Sequence, residues 1–343
     1  MIRVLIVDDS AVVRQVLANG LSKFDDVEVV GSAPDPYVAR EKIAKLRPDV
    51  LTLDIEMPRM DGLTFLEKLM THHPLPVVVV SSLAPRNSDN AMRALALGAV
   101  ELVGKPSSQF SAPDVERQLI RAVRAAAAAK FDRRAMPGST TAAKPALAPV
   151  SLQTTHKIIA IGASTGGTQA IEAVLRNWPA NAPGTIIVQH MPEGFTEAFA
   201  KRLNQVCQVE VRQAQHQDRV VPGTVLIAPG GNRHMLLERS GANYQVVLKE
   251  GPPVNYHRPS VDVLFQSVAR NAGKNATGVI LTGMGGDGAK GMLAMREAGA
   301  FTVAQDEQSC VVFGMPKEAI KLGAACKVMP LSQVAHTALT SSD

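Results

Sequence analysis

The sequence is poor in cysteine and in aromatic residues, and both shortages exclude classes of function. Three cysteines, Cys207, Cys310 and Cys326, occur in 343 residues, far apart and without a C-x-x-C pair. This spacing argues against a zinc site or a disulfide framework and indicates a reducing compartment. Aromatic residues make up 4% of the chain, which leaves too few rings for a surface that stacks single-stranded nucleic acid.

Long apolar runs and a strong charge excess are also missing. No apolar stretch approaches the roughly 18–20 residues that a membrane helix needs. The first apolar run stops at Asp8, too early for a secretory signal. The net charge of +5 is spread thinly, since residues 156–343 carry 17 Lys and Arg against 14 Asp and Glu. A concentrated basic patch for DNA is not indicated, and we expect a cytoplasmic protein that binds no nucleic acid.

The N-terminal third has the pattern of an α/β domain. Unbroken apolar runs rich in β-branched residues alternate with segments of helical spacing, such as residues 12–21 and 37–46. Such strands indicate a parallel sheet that helices cover on both faces. We predict a flavodoxin-like, doubly wound domain over residues 1–125, with five strands at 4–7, 27–30, 50–53, 77–80 and 100–103.

A change of composition separates this domain from a second one. Residues 136–155 consist mostly of Ala, Pro, Ser and Thr and have no apolar period, which is typical of a tether. The α/β alternation resumes at Lys157, with strands expected at 158–161, 185–189 and 278–281. We predict a linker over residues 126–155 and a second doubly wound α/β domain, catalytic in function, over residues 156–343.

Five polar side chains follow strands of the first domain. Three carboxylates come after the first and third strands, a hydroxyl ends the fourth, and a lysine follows the fifth. Functional groups of a doubly wound sheet gather beyond the carboxyl ends of its strands. Carboxylates that meet there repel one another unless a cation lies among them, and oxygen ligands suit Mg²⁺. A phosphoryl-accepting site is therefore predicted from Asp8, Asp9, Asp54, Ser81 and Lys105.

These residues and their surroundings resemble the receiver domain of response regulators. The similarity covers about 120 residues and includes Val-Asp-Asp-Ser, Asp54-Ile-Glu-Met-Pro and Gly-Lys105-Pro. It implies that Asp54 is the phosphorylation site and that Asp9 and Asp54 ligate Mg²⁺ directly. It further implies that the Glu56 carbonyl adds a ligand, that Asp8 acts through water, and that the switch residues are Ser81 and Lys105.

The second domain begins with a strand, a glycine turn and a helix around a serine. The run Gly-Ala-Ser164-Thr-Gly-Gly contains G-x-S-x-G, a turn that presents a hydroxyl at the end of a strand. His190 ends the next strand, and Asp287 lies in the glycine-rich loop after the strand at 278–281. Three strand ends thus supply a nucleophile, a base and an orienting acid. The amides of Met284 and Thr165 are candidates to bind the oxyanion.

Other interpretations of these residues stay open at this level. A dinucleotide-binding turn calls for an acidic residue at the end of the second strand, where this chain has Gln189 and His190. His234 and His257 are alternative bases. A DNA-binding response regulator is a further class, although the second domain lacks a basic recognition helix.

The second domain resembles the protein-glutamate methylesterases of chemotaxis. The shared motifs include Gln-His190-Met-Pro, Gly-Pro-Pro-Val-Asn, Leu-Thr-Gly-Met284-Gly and Val-Val-Phe-Gly-Met-Pro. The resemblance implies hydrolysis of glutamate γ-methyl esters and deamidation of glutamines on chemoreceptors, through Ser164, His190 and Asp287. It also implies a histidine kinase as phosphodonor, contact with membrane receptor arrays only through partners, and no cofactor in the catalytic domain.

Overall fold

A computed structural model of the chain separates it into two compact units, Met1–Thr140 and Thr141–Asp343, each of which is described by itself. Residues 131–155 of the predicted linker lie outside the described residues, so the predicted domain boundaries remain predictions. In the described part of the chain, no helix has the length and apolar character needed to span a membrane. The structure describes residues 1–57, 60–82, 85–105, 112–130 and 157–340, without the side chains of 85–87 and 112–114.

The first unit is a five-stranded parallel sheet with the strand order β2-β1-β3-β4-β5. This is the flavodoxin-like order, and all five predicted strands are present. Its strands are β1 (Ile2–Val7), β2 (Val27–Ala33), β3 (Val50–Asp54), β4 (Val77–Ser81) and β5 (Glu101–Gly104), and its helices are α1 (Ala11–Leu21), α2 (Pro36–Leu46), α3 (Gly62–His72), α4 (Pro85–Ala96) and α5 (Ala112–Ala128).

Burial and helix capping explain why this segment adopts that order. Every residue of β3 and β4 is buried, as expected for central strands covered on both faces. Helices begin close behind the strands, because polar side chains accept the unpaired amides of the first turn. Ser10 accepts from the Val13 amide, and Asp61 accepts from the Thr64 amide at 2.8 Å. β1 and β3 are paired in parallel, with Val7 opposite Leu53, so their carboxyl ends lie side by side.

The second unit is a seven-stranded parallel sheet with the order β14-β13-β12-β6-β7-β9-β8, beside a two-stranded antiparallel sheet of β10 and β11. Its strands are β6 (Ile158–Ala163), β7 (Gly184–Gln189), β8 (Glu210–Gln213), β9 (Thr224–Ile227), β10 (Arg233–Ser240), β11 (Asn243–Glu250), β12 (Ala276–Ile280), β13 (Phe301–Gln305) and β14 (Lys327–Met329). Its helices are α6 (Gly167–Leu175), α7 (Phe195–Val206), α8 (Val261–Asn271), α9 (Ala289–Glu297), α10 (Met315–Lys321) and α11 (Leu331–Thr340), with a 3₁₀ turn at Gly273–Asn275.

The order of the second sheet reverses between β6 and β12, which are hydrogen-bonded neighbours. From β6 the chain proceeds to β7 on one side, and it later returns through β12 on the other. A crevice at the carboxyl edge of such a switch point is the usual ligand site of an open α/β sheet. Ala163 lies opposite Gln189 in the β6–β7 register, so the residues that follow these two strands are neighbours. The switch point thus brings together the loops after β6, β7 and β12.

Candidate active site

The loops after β6, β7 and β12 carry Ser164, His190 and Asp287, and all three side chains are largely buried. The His190 Nε2 atom lies 2.8 Å from Asp287 Oδ2. Ser164 follows β6 directly and is 7% exposed, and the His190 amide donates to the carbonyl of Ala163 at 3.0 Å. The structure therefore brings the three residues predicted from the sequence to one edge of the sheet.

The bond to Asp287 determines which nitrogen of His190 is free to act as a base. An ionised carboxylate only accepts hydrogen bonds, so Nε2 carries the proton and the neutral ring has its lone pair on Nδ1. Nδ1 is buried and has no hydrogen-bond partner within the described residues. Because Ser164 lies at the end of the adjacent strand, Nδ1 is the atom available to its hydroxyl.

Close packing fixes the turn that carries Ser164. The Ser164 amide donates to the carbonyl of Thr282 at 3.0 Å, and the Ser164 carbonyl accepts from the Gly167 amide at 2.7 Å. Gly166 has a φ of +77°, and a Cβ there would lie 2.6 Å from the Cβ of Val311. Only glycine satisfies both the left-handed backbone and the lack of space. The turn therefore holds Ser164 in one position before α6.

Asp287 is held by an unusually complete set of donors. Its Oδ2 accepts from His190 and from the Val261 amide at 2.7 Å, while Oδ1 accepts from the Ser260 hydroxyl at 2.7 Å and from the Asn255 amide group at 2.8 Å. Burial would raise the pKa of the carboxyl, but the hydrogen bonds from His190, Asn255 and Ser260 outweigh it and lower the pKa below its usual range. Asp287 is therefore ionised.

The two alternative histidines have different environments. His234 is buried, with Nδ1 accepting from the Ser260 amide at 3.1 Å and Nε2 placed to donate to the Pro252 carbonyl at 3.0 Å. Both nitrogens of His234 are thus engaged with the backbone, which leaves no lone pair for general-base chemistry. His257 instead stacks on His190, with ring centroids 3.7 Å apart and planes 3° from parallel.

The ligand atoms of His190, His257 and Asp287 lie within 4.8 Å of one another. Three side chains at this spacing can bind one metal ion if their orientation allows it. A metal lies close to the plane of an imidazole, along the nitrogen lone pair, at about 2.0–2.1 Å. Two rings stacked face to face have no common plane. One ion cannot bind both imidazoles in this arrangement, and the geometry fits a catalytic hydrogen-bond site instead.

The loop after β12 holds backbone amides beside the serine turn. The carbonyl of Gly283 accepts from the amides of Gly314 and Met315, while the Gly283 amide donates to Val312 at 3.0 Å. These bonds fix the peptide of Met284, whose own amide makes no hydrogen bond to any described residue. The Thr165 carbonyl accepts from the Thr282 hydroxyl at 3.0 Å. Met284 thus offers a fixed and available amide donor.

The first unit contains a second cluster at its sheet edge. The ligand atoms of Asp8, Asp9 and Asp54 lie within 4.8 Å of one another. Lys105 Nζ lies 2.7 Å from Asp54 Oδ2 and 3.0 Å from Asp8 Oδ2. Burial raises the pKa of Asp54 to about 6, although Lys105 opposes the shift. Burial alone would lower the pKa of Lys105, but its ion pairs with Asp54 and Asp8 raise it instead.

This donor set fits Mg²⁺ on chemical grounds, because three carboxylates converge and hard oxygen ligands are the ones that Mg²⁺ prefers. The Glu56 amide donates to Asp54 Oδ1 at 3.1 Å, which holds the Glu56 peptide beside the cluster. Ser81 is buried at the end of β4, opposite Gly104 in the strand register. The predicted switch residues Ser81 and Lys105 therefore lie on adjacent strand ends.

The residues that support the triad were not predicted from the sequence. Asn255, Ser260 and Asp262 contact Asp287 or its neighbours, and His257 contacts His190. The motif Gly-Pro-Pro-Val-Asn and the residues after it were the available signal, since Asn tolerates left-handed turns and Ser caps helices. Neither preference reveals which buried group such a side chain contacts.

Comparison with known proteins covers both units. Family models match residues 159–338 (CheB methylesterase) and residues 4–112 (response regulator receiver domain). A protein-glutamate methylesterase/protein-glutamine glutaminase of Syntrophus aciditrophicus is 55% identical over 339 residues, or 97% of each chain. The Escherichia coli K12 relative of the same name is 56% identical over 343 residues, covering 98% of this chain and 96% of its own.

Solved structures agree with the assignment of the second unit. The crystal structure of the Thermotoga maritima CheB methylesterase catalytic domain is 37% identical, with a TM-score of 0.53. The match covers 54% of this chain and 98% of that structure. The predicted fold class and the predicted hydrolase family are confirmed, and the DNA-binding and cofactor-binding alternatives are set aside. The chain belongs to the CheB methylesterase family and carries, in addition, a response regulator receiver domain.

Proposed function

We propose that the second unit hydrolyses glutamate γ-methyl esters of chemoreceptors and deamidates receptor glutamines, with Ser164, His190 and Asp287 as the catalytic triad. The observation that carries this proposal is the 2.8 Å bond between His190 Nε2 and Asp287 Oδ2, beside the serine turn. This bond holds the ring proton on Nε2 and leaves the Nδ1 lone pair available to take the serine proton.

Acylation begins when His190 Nδ1 takes the Ser164 proton as Oγ attacks the γ-carbonyl carbon of the substrate. The carbonyl oxygen becomes an oxyanion and accepts a hydrogen bond from the Met284 amide, with Thr165 as the second candidate donor. When the tetrahedral species collapses, the bond to the methoxy oxygen breaks and Nδ1 returns its proton to that oxygen. Methanol leaves from an ester and ammonia from a glutamine, and a γ-glutamyl ester remains on Ser164.

Deacylation repeats these steps with water in place of serine. His190 Nδ1 takes a proton from water as the water oxygen attacks the acyl carbon, and the Met284 amide again donates a hydrogen bond to the developing oxyanion. Collapse breaks the bond to Ser164 Oγ, which recovers its proton from the imidazolium. Asp287 stays ionised throughout and stabilises the charged ring. The products are free enzyme and a receptor glutamate.

We also propose that Asp54 accepts a phosphoryl group and that its phosphorylation activates the hydrolase. Asp9 and Asp54 would hold Mg²⁺ with the Glu56 carbonyl, and Asp8 would act through water. When bound, Mg²⁺ supplies charge neutralisation for the incoming phosphoryl oxygens. Lys105 and Ser81 would pair with phosphoryl oxygens once Lys105 releases its bond to Asp54.

The family resemblance and the names of the relatives support the cellular setting of this proposal. The phosphodonor is a chemotaxis histidine kinase, and the substrates are methyl-accepting chemoreceptors in membrane arrays. The enzyme is cytoplasmic and meets these arrays only through its partners. We propose that it binds no nucleic acid and needs no cofactor in its catalytic unit.

Methanol release from methylated receptor, measured with and without a small-molecule phosphodonor and Mg²⁺, tests both parts of the proposal. The full chain should release methanol, and the phosphodonor should increase the rate. Asp54→Asn should retain the basal rate and lose the increase, while Ser164→Ala should lose both. Methanol release that Ser164→Ala does not reduce would overturn the assignment of the hydrolase. Activation that persists in Asp54→Asn would overturn the assignment of the acceptor.

A further inference from the structure

A tight turn between β11 and α8 contacts two members of the triad at once. Val254 and His257 exchange backbone hydrogen bonds of 3.0 and 2.9 Å. The two residues between them, Asn255 and Tyr256, have φ values of +50° and +65°. Two consecutive left-handed residues are the signature of a type I′ turn, in which Asn is favoured at the first position. The turn places His257 on the ring of His190 and points Asn255 at the carboxylate of Asp287.

The Asn255 side chain forms a bridge between two buried carboxylates. Its Nδ2 atom lies 2.8 Å from Asp287 Oδ1 and 2.7 Å from Asp262 Oδ2. Asp287 and Asp262 are 1% and 2% exposed. An amide nitrogen carries two hydrogens, so each carboxylate receives one of them. The carboxyamide oxygen could not replace the nitrogen here, because it has no hydrogen to donate.

Asp262 takes no part in the acyl transfer described above. It nevertheless puts a second buried carboxyl group beside the triad, which is energetically unfavourable. Its Oδ1 accepts from the Gly291 amide at 2.6 Å. Burial and the nearby charge of Asp287 both raise the pKa of Asp262, against the hydrogen bonds that it accepts. Two like charges in a buried site repel each other unless a donor lies between them. Asn255 is that donor.

We propose that Asn255 is a positioning residue for the hydrolase, holding the Asp287 carboxylate in the orientation that accepts the hydrogen bond from His190 Nε2. Asn255 donates a hydrogen bond to Oδ1, which leaves Oδ2 facing His190 Nε2 and the Val261 amide. The amide also screens Asp287 from Asp262. The alternative is that Asn255 only satisfies the left-handed backbone of its turn. This inference rests on the proposed function of the triad, and the experiments separate the two.

The first test replaces the side chain while keeping the turn. Asn255→Gly adopts positive φ without strain and removes both donated hydrogen bonds. We expect kcat for methanol release from a methylated receptor peptide to fall about 10- to 100-fold, with KM within about twofold. Tyr256→Gly is the matched control, since it adds the same backbone freedom at the next position and leaves both bonds intact. Its kcat should stay within about threefold of the parent value.

The second test exchanges donors for acceptors at constant size. Asn255→Asp keeps a residue that tolerates left-handed φ, but its ionised carboxyl adds a third negative charge and donates nothing. The protonated carboxyl still donates one hydrogen, so the ratio of variant to parent kcat should fall at least about tenfold between acid and alkaline pH. The other titratable groups that face this position, His190, His257, Asp262 and Asp287, are present in both proteins, so a pH dependence that appears only in the ratio arises from the added carboxyl.

Asn271→Asp provides the matched control for that exchange. The Asn271 amide also donates two hydrogen bonds, to the carbonyls of Leu237 and Ser267, at the far end of α8. Asn271→Asp should lower the melting temperature while its kcat ratio stays independent of pH. A purely structural role for Asn255 predicts the same behaviour for both Asp variants.

The outcomes distinguish this inference from the proposed function. Parent activity that Ser164→Ala abolishes establishes the hydrolase independently of Asn255. In that case, full kcat in Asn255→Gly, or a pH-independent ratio in Asn255→Asp, overturns the positioning role alone. Thermal unfolding of each variant, followed through the single tryptophan Trp178 in the catalytic unit, identifies a loss of fold. A folded Asn255→Gly with reduced kcat and unchanged KM supports the inference.

Discussion

The rings of His190 and His257 lie face to face, with centroids 3.7 Å apart and planes within 3° of parallel. His190 Nε2 bonds to Asp287 Oδ2 at 2.8 Å, which assigns the ring proton of His190 to Nε2. We interpret His190 as the base and His257 as the surface against which its ring is held. Stacking restricts rotation of the His190 ring and so keeps Nε2 on the Asp287 carboxylate.

Substitution of the two histidines separates these roles. His190→Ala should reduce kcat by at least about 10³-fold, because the general base is lost. His257→Ala should cost only about tenfold, since it removes packing and leaves the base intact. His257→Phe restores a planar ring without nitrogens and should recover most of that loss. Steady-state methanol release measures all three, and a loss in His257→Ala as large as that in His190→Ala would transfer the base assignment.

Asp287→Asn should lower kcat by about 10²–10⁴-fold with the fold intact. The amide that replaces the carboxylate can donate to Nε2, which moves the ring proton to Nδ1 and removes the lone pair that accepts the serine proton. Asp306→Asn is the matched control, because Asp306 accepts from the amide and the hydroxyl of Ser309, in the loop after β13. Near-parent kcat in Asp287→Asn would show that the tautomer does not matter to the reaction.

Gly166 and Gly241 both have a left-handed backbone, and we predict that alanine lowers the free energy of unfolding by different amounts at the two positions. Gly166→Ala meets both positive φ and the Cβ of Val311 at 2.6 Å, whereas Gly241 has a φ of +59° and nothing within 4 Å of an added Cβ. Gly241→Ala should cost about 1 kcal/mol in the free energy of unfolding, and Gly166→Ala about 3 kcal/mol, because crowding adds to backbone strain. Denaturation followed by Trp178 fluorescence measures both, and equal losses would contradict the packing of the serine turn.

The raised pKa of Asp54, at about 6, predicts how the stability of the receiver depends on pH in the presence of a chelator. The folded state binds this proton more tightly than the unfolded state does, where an aspartate titrates near 3.9. The contribution of Asp54 to the free energy of unfolding is therefore fully present below about pH 4 and is lost as the pH rises through about 6. The loss amounts to at most about 3 kcal/mol.

Hydrogen exchange of peptides from β3 measures this effect in the full chain. The opening free energy of the parent, relative to that of Asp54→Asn, should decrease from pH 4 to pH 6 and stay constant above. Added Mg²⁺ should reverse the decrease in the parent, since a cation stabilises the ionised carboxylates, and should act less on the variant. A relative opening free energy that rises with pH would contradict the burial of Asp54.

Much of the fold was predictable because its strands are buried on both faces. The strands β3, β4, β6, β7 and β12 are buried along their whole length and follow directly from apolar runs. The edge strand β2 is mostly half-buried, and its β-branched residues indicated it. The hairpin of β10 and β11 was not predicted. Its two strands have exposed ends and mixed burial without a strict alternation, so they give no clear strand pattern in the sequence.

The triad was predictable for a related reason, and its supports were not. The topology of the sheet brings three strand ends to one switch point. A functional residue in the loop after one of these strands can therefore be identified from its position in the sequence. Asn255, His257 and Asp262 reach the site through a turn and a helix start, whose positions depend on local backbone geometry. Asn255 contacts the two carboxylates only in the folded unit. Both are buried there, and each would be destabilising without hydrogen-bond donors.

Direct detection of an acyl-enzyme tests the central claim that Ser164 is the nucleophile. Full-length enzyme is mixed with a methylated receptor peptide, quenched in acid within one turnover and digested for mass spectrometry. We predict a γ-glutamyl ester on the peptide that contains Ser164, formed at the rate of the methanol burst, and absent from Ser164→Ala, which should retain less than about 1% of the activity. An adduct on another residue, or methanol release by Ser164→Ala at a rate near that of the parent, would contradict the mechanism.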